Sequence, residues 1–445
     1  MSTLKDAQQD KVVFALDIGT TKVCAMAGKR DQYGRFEILG VGKVSSEGVS
    51  RGVVSNIDRT VAAISQAVGK AEQMSGYKAT ILHVGIAGQH IKSLQHRGIL
   101  TRDHSQTEIG AQDIQKLIDD MYKLVLPPGD EILHVIPQEF TIDNEQGIID
   151  PVGMSGVRLE ANFHIITGQK TALQNIIRCV ERCTYATADV TLEPIASAKA
   201  ILSDEEKEAG VALVDIGGGT TDITIFQDGI IRHTAVIPLG GNVISSDIKE
   251  GCRVMDKHAE TLKVKFGCAY EGVANPRRII TIPTLKGQDP KEISELNLAR
   301  IIQARVEEIF FYVNREIQLS GFSSKLIGGI VLTGGGALLR HIDKVVALST
   351  GMNTRIGHPV ENLANGYSEE MVSPVYATAI GLLIKGVEDI EEGRISYEEF
   401  EKKNQESTAQ NTQEKETAQT GSSNWLAKMF ESAKDWFEAE PDSEF

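Results

Sequence analysis

Two short glycine turns at widely separated places in this chain say nearly the same thing: Asp17-Ile18-Gly19-Thr20-Thr21-Lys22 and Asp215-Ile216-Gly217-Gly218-Gly219-Thr220-Thr221-Asp222. Each follows an apolar run, at 12–16 or 211–214, and precedes another, at 23–27 or 223–226. That pattern predicts a strand, a tight turn and a returning strand. The glycines let backbone N–H groups close in on a ligand, and the threonine hydroxyls add donors suited to phosphate oxygens. An acid opening each loop repels a bare phosphate. The pattern makes sense with a cation in between, as hydrated Mg²⁺ stands between carboxylates and nucleotide phosphates. Asp17 and Asp215 are therefore the candidate metal-facing acids, and Lys22 can neutralise phosphate directly. A single copy reads as a core hairpin; two copies read as a duplicated domain closing on one nucleotide from opposite sides.

A third segment, 330–339, again runs strand, glycine turn (Gly334, Gly335, Gly336) and apolar helix start. No acid precedes these glycines, so this turn suits an uncharged part of the ligand, such as adenosine.

With 445 residues the chain has room for two or three domains and a substantial core. No apolar run approaches the ~18 residues that span a bilayer, and residues 1–11 lack the apolar stretch of a signal peptide. The expectation is a cytosolic chain unless something peripheral holds it elsewhere. Cys24, Cys179, Cys183, Cys252 and Cys268 are scattered without paired metal-site spacing and read as structural thiols. The net charge of -15 argues against nucleic-acid binding. The acidity is concentrated at one end: residues 386–445 hold 16 acids and 6 bases, net -10, which leaves -5 for the first 385.

Residues 12–85 read as strands followed by a helix, with helical spacing over 53–74. Strand-like pieces at 81–86, 131–136 and 160–167 and a helix at 111–124 depart from a simple duplication and predict a small inserted α+β module. A long helix at about 294–319 should bury Leu298, Ile301, Ile302, Ile309, Val313 and Ile317, with Arg305 snorkelling at the rim or facing a partner. Residues 404–423 hold almost no large apolar group and predict a disordered tether of roughly 25 Å end to end.

The chain's only tryptophans, Trp425 and Trp436, follow that tether. At 100° per residue, Trp425, Leu426, Met429, Phe430, Trp436 and Phe437 fall within an arc of about 140° and predict an amphipathic helix with an aromatic face. The ordinary expectation for such a helix is docking on the body. A terminal position after a disordered tether, with paired tryptophans, favours the membrane interface instead. From 424 to 445 two lysines stand against six acids, so binding must rest on apolar burial rather than attraction to anionic lipid. Several such helices on one polymer would bind by avidity.

The three glycine segments resemble the phosphate 1, phosphate 2 and adenosine motifs of the actin, Hsp70 and sugar-kinase superfamily. Residues 192–198 and 376–383 resemble its two connecting segments. The inserted module, the near-minimal second half and the tethered amphipathic helix narrow the resemblance to the FtsA family of bacterial cell-division proteins. The acidic tail departs from that family's more basic pattern, and the pilus-assembly family PilM is similar over the body. A soluble kinase of the same fold is the alternative of a different class.

The resemblance implies an α/β fold: a duplicated actin-like, ribonuclease H-like nucleotide-binding plan with an inserted α+β module and a flexible C-terminal tail. Residues 12–85, 168–200 and 366–386 would form the first actin-like subdomain and 86–167 the insert. Residues 201–244 and 319–365 would form the second, and 245–318 a smaller subdomain carrying the FtsZ surface, with Arg300 and Arg305 as candidate contacts. Residues 387–423 would be an acidic linker and 424–438 the membrane-targeting helix. ATP and Mg²⁺ are the implied ligands, with Asp17 and Asp215 holding Mg²⁺ through water. Gly19, Thr20, Thr21, Lys22, Gly217, Gly218, Gly219, Thr220 and Thr221 would cradle phosphates. Gly334, Gly335 and Gly336 would lie under adenosine, Glu260 and Lys263 at the base or ribose, and Glu193 would either position the hydrolytic water of an at most slow ATPase or only cap or pair locally. The implied partners are FtsZ, further copies of the chain, other division proteins and the cytoplasmic face of the cell membrane at the septum.

Overall fold

The computed structural model describes residues 12–102, 108–284, 289–364, 368–395 and 397. Its first sheet is founded on β1 (Val13–Ile18), whose six residues are all buried. A strand covered on both faces reads as a near-continuous apolar run, and this one does but for Asp17. It returns antiparallel as β2 (Lys22–Arg30), with Asp17 opposite Cys24, and then as β3 (Phe36–Ser45). The short pair β4 (Val49–Ser50) and β5 (Val53–Val54) leads to a helix at Ile57–Ser75. That helix is started by Asn56, whose side chain accepts from Arg59 N, and it buries Ala63, Ile64, Ala67, Val68 and Ala71. β6 (Ile81–Ile86) then lies parallel to β1.

The inserted module follows. β7 (Lys92–Thr101), β8 (Asp130–Ile142), β9 (Glu145–Ile148) and β10 (Arg158–Gln169) form a four-stranded antiparallel sheet in the order β7-β10-β8-β9, with a helix at Ala111–Met121 between β7 and β8 in the chain. Its core gathers Leu117, Met121, Phe140, Leu159 and Phe163. The strands expected at 131–136 and 160–167 are longer here. β7 has no apolar signal because it is an edge strand with most side chains in water.

A helix at Lys170–Arg182 returns the chain to the first sheet. There β11 (Ala186–Leu192) pairs parallel with β6 and runs straight into a helix at Glu193–Ile201. The completed order is β11-β6-β1-β2-β3.

After a short helix at Asp204–Ala209 the plan repeats. β12 (Val211–Ile216), β13 (Thr221–Gln227) and β14 (Ile230–Ile237) form consecutive antiparallel hairpins. Helices follow at Gly241–Cys252 and Asp256–Phe266. Then come the two-stranded ribbon β15 (Ile279–Ile282) and β16 (Lys291–Ser294) and the long helix Glu295–Leu319. β17 (Ile330–Thr333) pairs parallel with β12, and after a helix at Ile342–Thr350, β18 (Thr354–Ile356) closes the order β14-β13-β12-β17-β18.

The long helix buries Leu298, Ile302, Ile309, Val313 and Ile317 as its spacing predicts, and adds Val306 and Phe310. Ile301 packs against the same core from its rim. Arg305 is half-buried, with its guanidinium paired to Asp247 (Nη2 to Oδ1, 2.9 Å). It therefore serves an ion pair within the chain.

The last described helix, Ala377–Glu391, crosses the Glu193–Ile201 helix so closely that a Cβ on Gly381 would stand 1.8 Å from the Ala196 carbonyl oxygen. The two connecting segments thus form one tight crossing between the sheets. Residues 387–391, expected in the linker, belong to this helix. The rest of the expected linker is outside the described residues except 392–395 and 397, and the expected helix at 424–438 is outside them entirely.

Candidate nucleotide-binding cleft

The two hairpins turn their glycine loops toward one cavity of about 570 Å³. Gly19, Thr20, Thr21 and Lys22 line it from the first sheet, and Gly217, Gly218, Gly219 and Thr220 from the second. The loops meet: a Cβ on Gly218 would lie 2.3 Å from Thr21 Cγ2, so only glycine allows this approach without movement. Thr221 is placed differently from its neighbours. It is fully buried, its hydroxyl donates to the Leu239 carbonyl (2.8 Å), and it does not reach the cavity wall.

Gly334, Gly335 and Gly336 line the same cavity where β17 ends. Gly334 has φ 80° and leaves no room for a side chain, since a Cβ would meet Asp215 Oδ1 at 2.2 Å. Glu260 and Lys263, one helical turn apart, complete this wall. Lys263 Nζ lies 2.8 Å from Glu260 Oε2 and donates to the Gly241 carbonyl at 2.9 Å, and Ser245 donates to Glu260 at 2.6 Å.

Besides Glu260, four carboxylates line this cavity: Asp17, Glu193, Asp215 and Asp222. Lys22 pairs with Asp17. Burial alone would lower the Lys22 pKa, but the Asp17 carboxylate more than offsets it and holds the ammonium above the usual lysine range. The other acids lack such a partner. Burial pushes Asp215 up to about 6, against the hydrogen bond from Ser197 Oγ (3.1 Å). Burial, with Asp215 adding to it, pushes Asp222 up to about 7. Glu193 is held well above the usual carboxylate range by burial first and then by Asp17, Asp222 and Asp215. Glu193, Asp215 and Asp222 stand together without a paired cation, and a divalent cation would relieve all three.

Asp222 carries the sharpest form of this deficit. Its Oδ2 accepts from Thr220 Oγ1 (3.0 Å), while Oδ1 is buried without a protein partner. Sequence reasoning stopped at Asp215, although an acid within the otherwise apolar and threonine-rich strand 221–226 was a visible signal. Lys43, Asn242 and Arg340 also line the cavity and were not singled out. Arg340 is held by the Gly267 carbonyl (3.1 Å) and Glu295 (3.1 Å). Among the described residues no three His, Cys, Asp or Glu side chains gather to enclose an ion by themselves. The acids suit a hydrated ion that takes its remaining ligands from phosphate oxygens.

The family model "Cell division protein FtsA" matches residues 212–381, and the model "SHS2 domain inserted in FTSA" matches 88–167. The cell division protein FtsA of Pseudomonas aeruginosa is 39% identical over 391 residues, covering 88% of this chain and 93% of that relative. The chain belongs to the FtsA cell-division family. The FtsA of Neisseria meningitidis is 40% identical over 84% of this chain and 90% of its own length, and that of Escherichia coli K12 is 34% identical over 88% and 94%.

Solved structures place the FtsA-family chain in the actin-like fold. The PilM-PilN type IV pilus biogenesis complex includes a chain matched at a TM-score of 0.63 and 14% identity, over 84% of this chain and 98% of that one. MreB5 of Spiroplasma citri bound to ADP matches at 0.52 and 16%, over 86% and 99%. These likenesses show the fold. The expected actin-like body with an inserted module is the observed one.

Proposed function

We propose that this chain binds ATP with Mg²⁺ in the cleft and works as a nucleotide-dependent adaptor that polymerises and holds FtsZ filaments at the cytoplasmic membrane. The observation that carries the nucleotide reading is the cluster of acids, half-buried Glu193 and Asp215 with buried Asp222, facing two touching glycine loops, while Lys22 is paired to Asp17 beside them. Gly19 to Lys22 and Gly217 to Thr220 would hold the phosphates, and Asp17, Asp215 and Asp222 would face the hydrated metal. Glu260, Lys263 and Gly334 to Gly336 would hold the nucleoside. The bound metal supplies the positive charge that the acids lack.

Glu193 opens the Glu193–Ile201 helix on the cavity wall, where it can hold a water by hydrogen bonding. The carboxylate is the form that accepts from such a water, and a bound cation would favour it by offsetting the burial and neighbouring acids that raise the Glu193 pKa. Turnover is then slow and serves to switch state rather than to drive chemistry.

The adaptor role rests on family membership and on the tail. Trp425, Leu426, Met429, Phe430, Trp436 and Phe437 would form the membrane-facing side of a helix, and these residues are outside the described part of the structure. The FtsZ surface is proposed on 245–318. Arg300 is already paired with Glu271 (2.7 Å) and Arg305 with Asp247, so an acidic partner there would have to compete with the chain's own carboxylates. The nucleotide part is tested by titrating ATP with and without Mg²⁺. Tight binding that requires Mg²⁺ supports it, and equal binding without the metal contradicts it.

A further inference from the structure

The inserted sheet grows from the first half of the chain, but it is fastened to the second. Ser93 Oγ donates to the Thr234 carbonyl (3.0 Å), Gln95 Nε2 to the Arg232 carbonyl (3.4 Å) and Gln138 Nε2 to the Ile231 carbonyl (2.8 Å). Gln95 Nε2 also lies 3.0 Å from His164 Nδ1, and His164 Nε2 lies 3.0 Å from Thr234 Oγ1. An amide NH₂ only donates, so Nδ1 accepts and the ring proton sits on Nε2, facing the Thr234 hydroxyl. The four insert residues come from β7, β8 and β10, and every acceptor in the second half belongs to β14. Gln138, His164 and Thr234 are buried, so the Gln138–Ile231 and His164–Thr234 bonds are shielded from water and loss of the Gln138 donor would strand a buried acceptor, while the Gln95–Arg232 bond is at the surface.

β14 is the edge strand of the second sheet and is zipped to β13, with Asp222 opposite Val236 and Thr221 opposite Ile237. The strand gripped by the insert is thus one ladder away from the second phosphate loop. The root of the insert makes a separate connection to the same place. Gln89 N donates to the Arg51 carbonyl (3.3 Å), the next residue's Gly52 N donates to Thr20 Oγ1 (3.3 Å), and a Cβ on Gly219 would stand 2.9 Å from Arg51 Cα. The turn at Arg51 and Gly52 therefore touches both phosphate loops and the start of the insert.

We propose that the inserted module is a latch on the cleft: docking of β7, β8 and β10 on β14 holds the two halves in the arrangement that retains nucleotide, and nucleotide in turn holds the latch closed. This rests on the proposed nucleotide reading of the cleft. An element rooted on one half and bonded to the other permits only a narrow range of angles between them, and linkage makes the coupling reciprocal. Nucleotide release must then involve undocking of the insert, and a protein that pulls the insert away would hasten release without touching the cleft.

The test uses the full chain and two variants, Gln138→Ala and the double variant Ser93→Ala, Gln95→Ala; the second alters mainly solvent-facing parts of an edge strand and guards against misfolding of the first. A fluorescent ATP analogue with Mg²⁺ gives the release rate, and amide hydrogen exchange gives protection at 12–22, 215–222, 230–237 and 130–142. The expected result is nucleotide-dependent protection at β14 and β8 as well as at both loops, and release about five- to tenfold faster in both variants. Protection confined to the loops, with unchanged release in both variants, overturns the latch while leaving the cleft reading intact. No protection at the loops in the unaltered chain overturns both.

Discussion

Asp215 and Asp222 stand directly opposite one another in the β12–β13 ladder, so the second glycine hairpin presents two carboxylates where the first pairs Asp17 with Cys24. Like charges in directly opposed positions repel, and here burial removes the water that would screen them. The hairpins are repeats in backbone and differ in charge: the first brings its own cation, Lys22, and the second needs one from outside.

That difference has a pH signature. The Asp222 pKa is raised to about 7 from an unfolded value near 3.8, mainly by burial and then by Asp215. The folded state therefore binds more protons than the unfolded state between these values, and this site's stabilising contribution is lost as pH rises from about 4 through about 7. Buried His83 and His164 and half-buried His134, lowered to about 4, act in the opposite sense over part of the same range. The comparison must then be between variants. Nucleotide-free Asp222→Asn should melt above the unaltered chain at pH 8, with the gap closing toward pH 5; a pH-independent gap contradicts this.

Gly334 adopts φ 80° against Asp215 Oδ1 and the Ile216 carbonyl, so Gly334→Ala combines backbone strain with a clash. A cost of about 1–3 kcal/mol is expected. Because the clash displaces Asp215, binding of Mg-ATP should weaken by more than the loss of stability explains. Paired melting and titration measurements check this, and a variant that melts lower but binds normally would remove Gly334 from the site.

Glu193→Gln should keep Mg-ATP binding within about threefold and reduce turnover at least tenfold, since a positioned water loses its charged acceptor. Its nucleotide-free form should also gain stability at pH 8 by removing one member of the carboxylate group. Equal turnover in both proteins, measured as phosphate release, would leave Glu193 as a structural residue at the start of its helix.

The sequence made the local parts of this molecule readable. Strand, glycine turn and returning strand form a contiguous pattern, which is why both hairpins and the Gly334 turn were legible, as was the buried face of the long helix. Long-range polar contacts leave no such trace. β7 reads as polar because it is an edge strand, and nothing in Ser93, Gln95, Gln138 or His164 announces that all four meet β14. Thr221 shows the same limit within a motif. Alternation along β13 turns its hydroxyl to Leu239 while Asp222 faces the cavity, a choice that depends on register rather than on residue type.

The measurement that bears most directly on the adaptor reading is cosedimentation of the full chain and purified FtsZ filaments with lipid vesicles, with and without Mg-ATP. It compares the unaltered chain with a Trp425→Glu, Trp436→Glu double variant. The unaltered chain should pellet with vesicles, more strongly with Mg-ATP, and carry FtsZ down with it, while the double variant keeps ATP binding and stays in solution. Equal pelleting of the two proteins, or no lipid binding by either, would contradict a tethered aromatic helix as the membrane anchor.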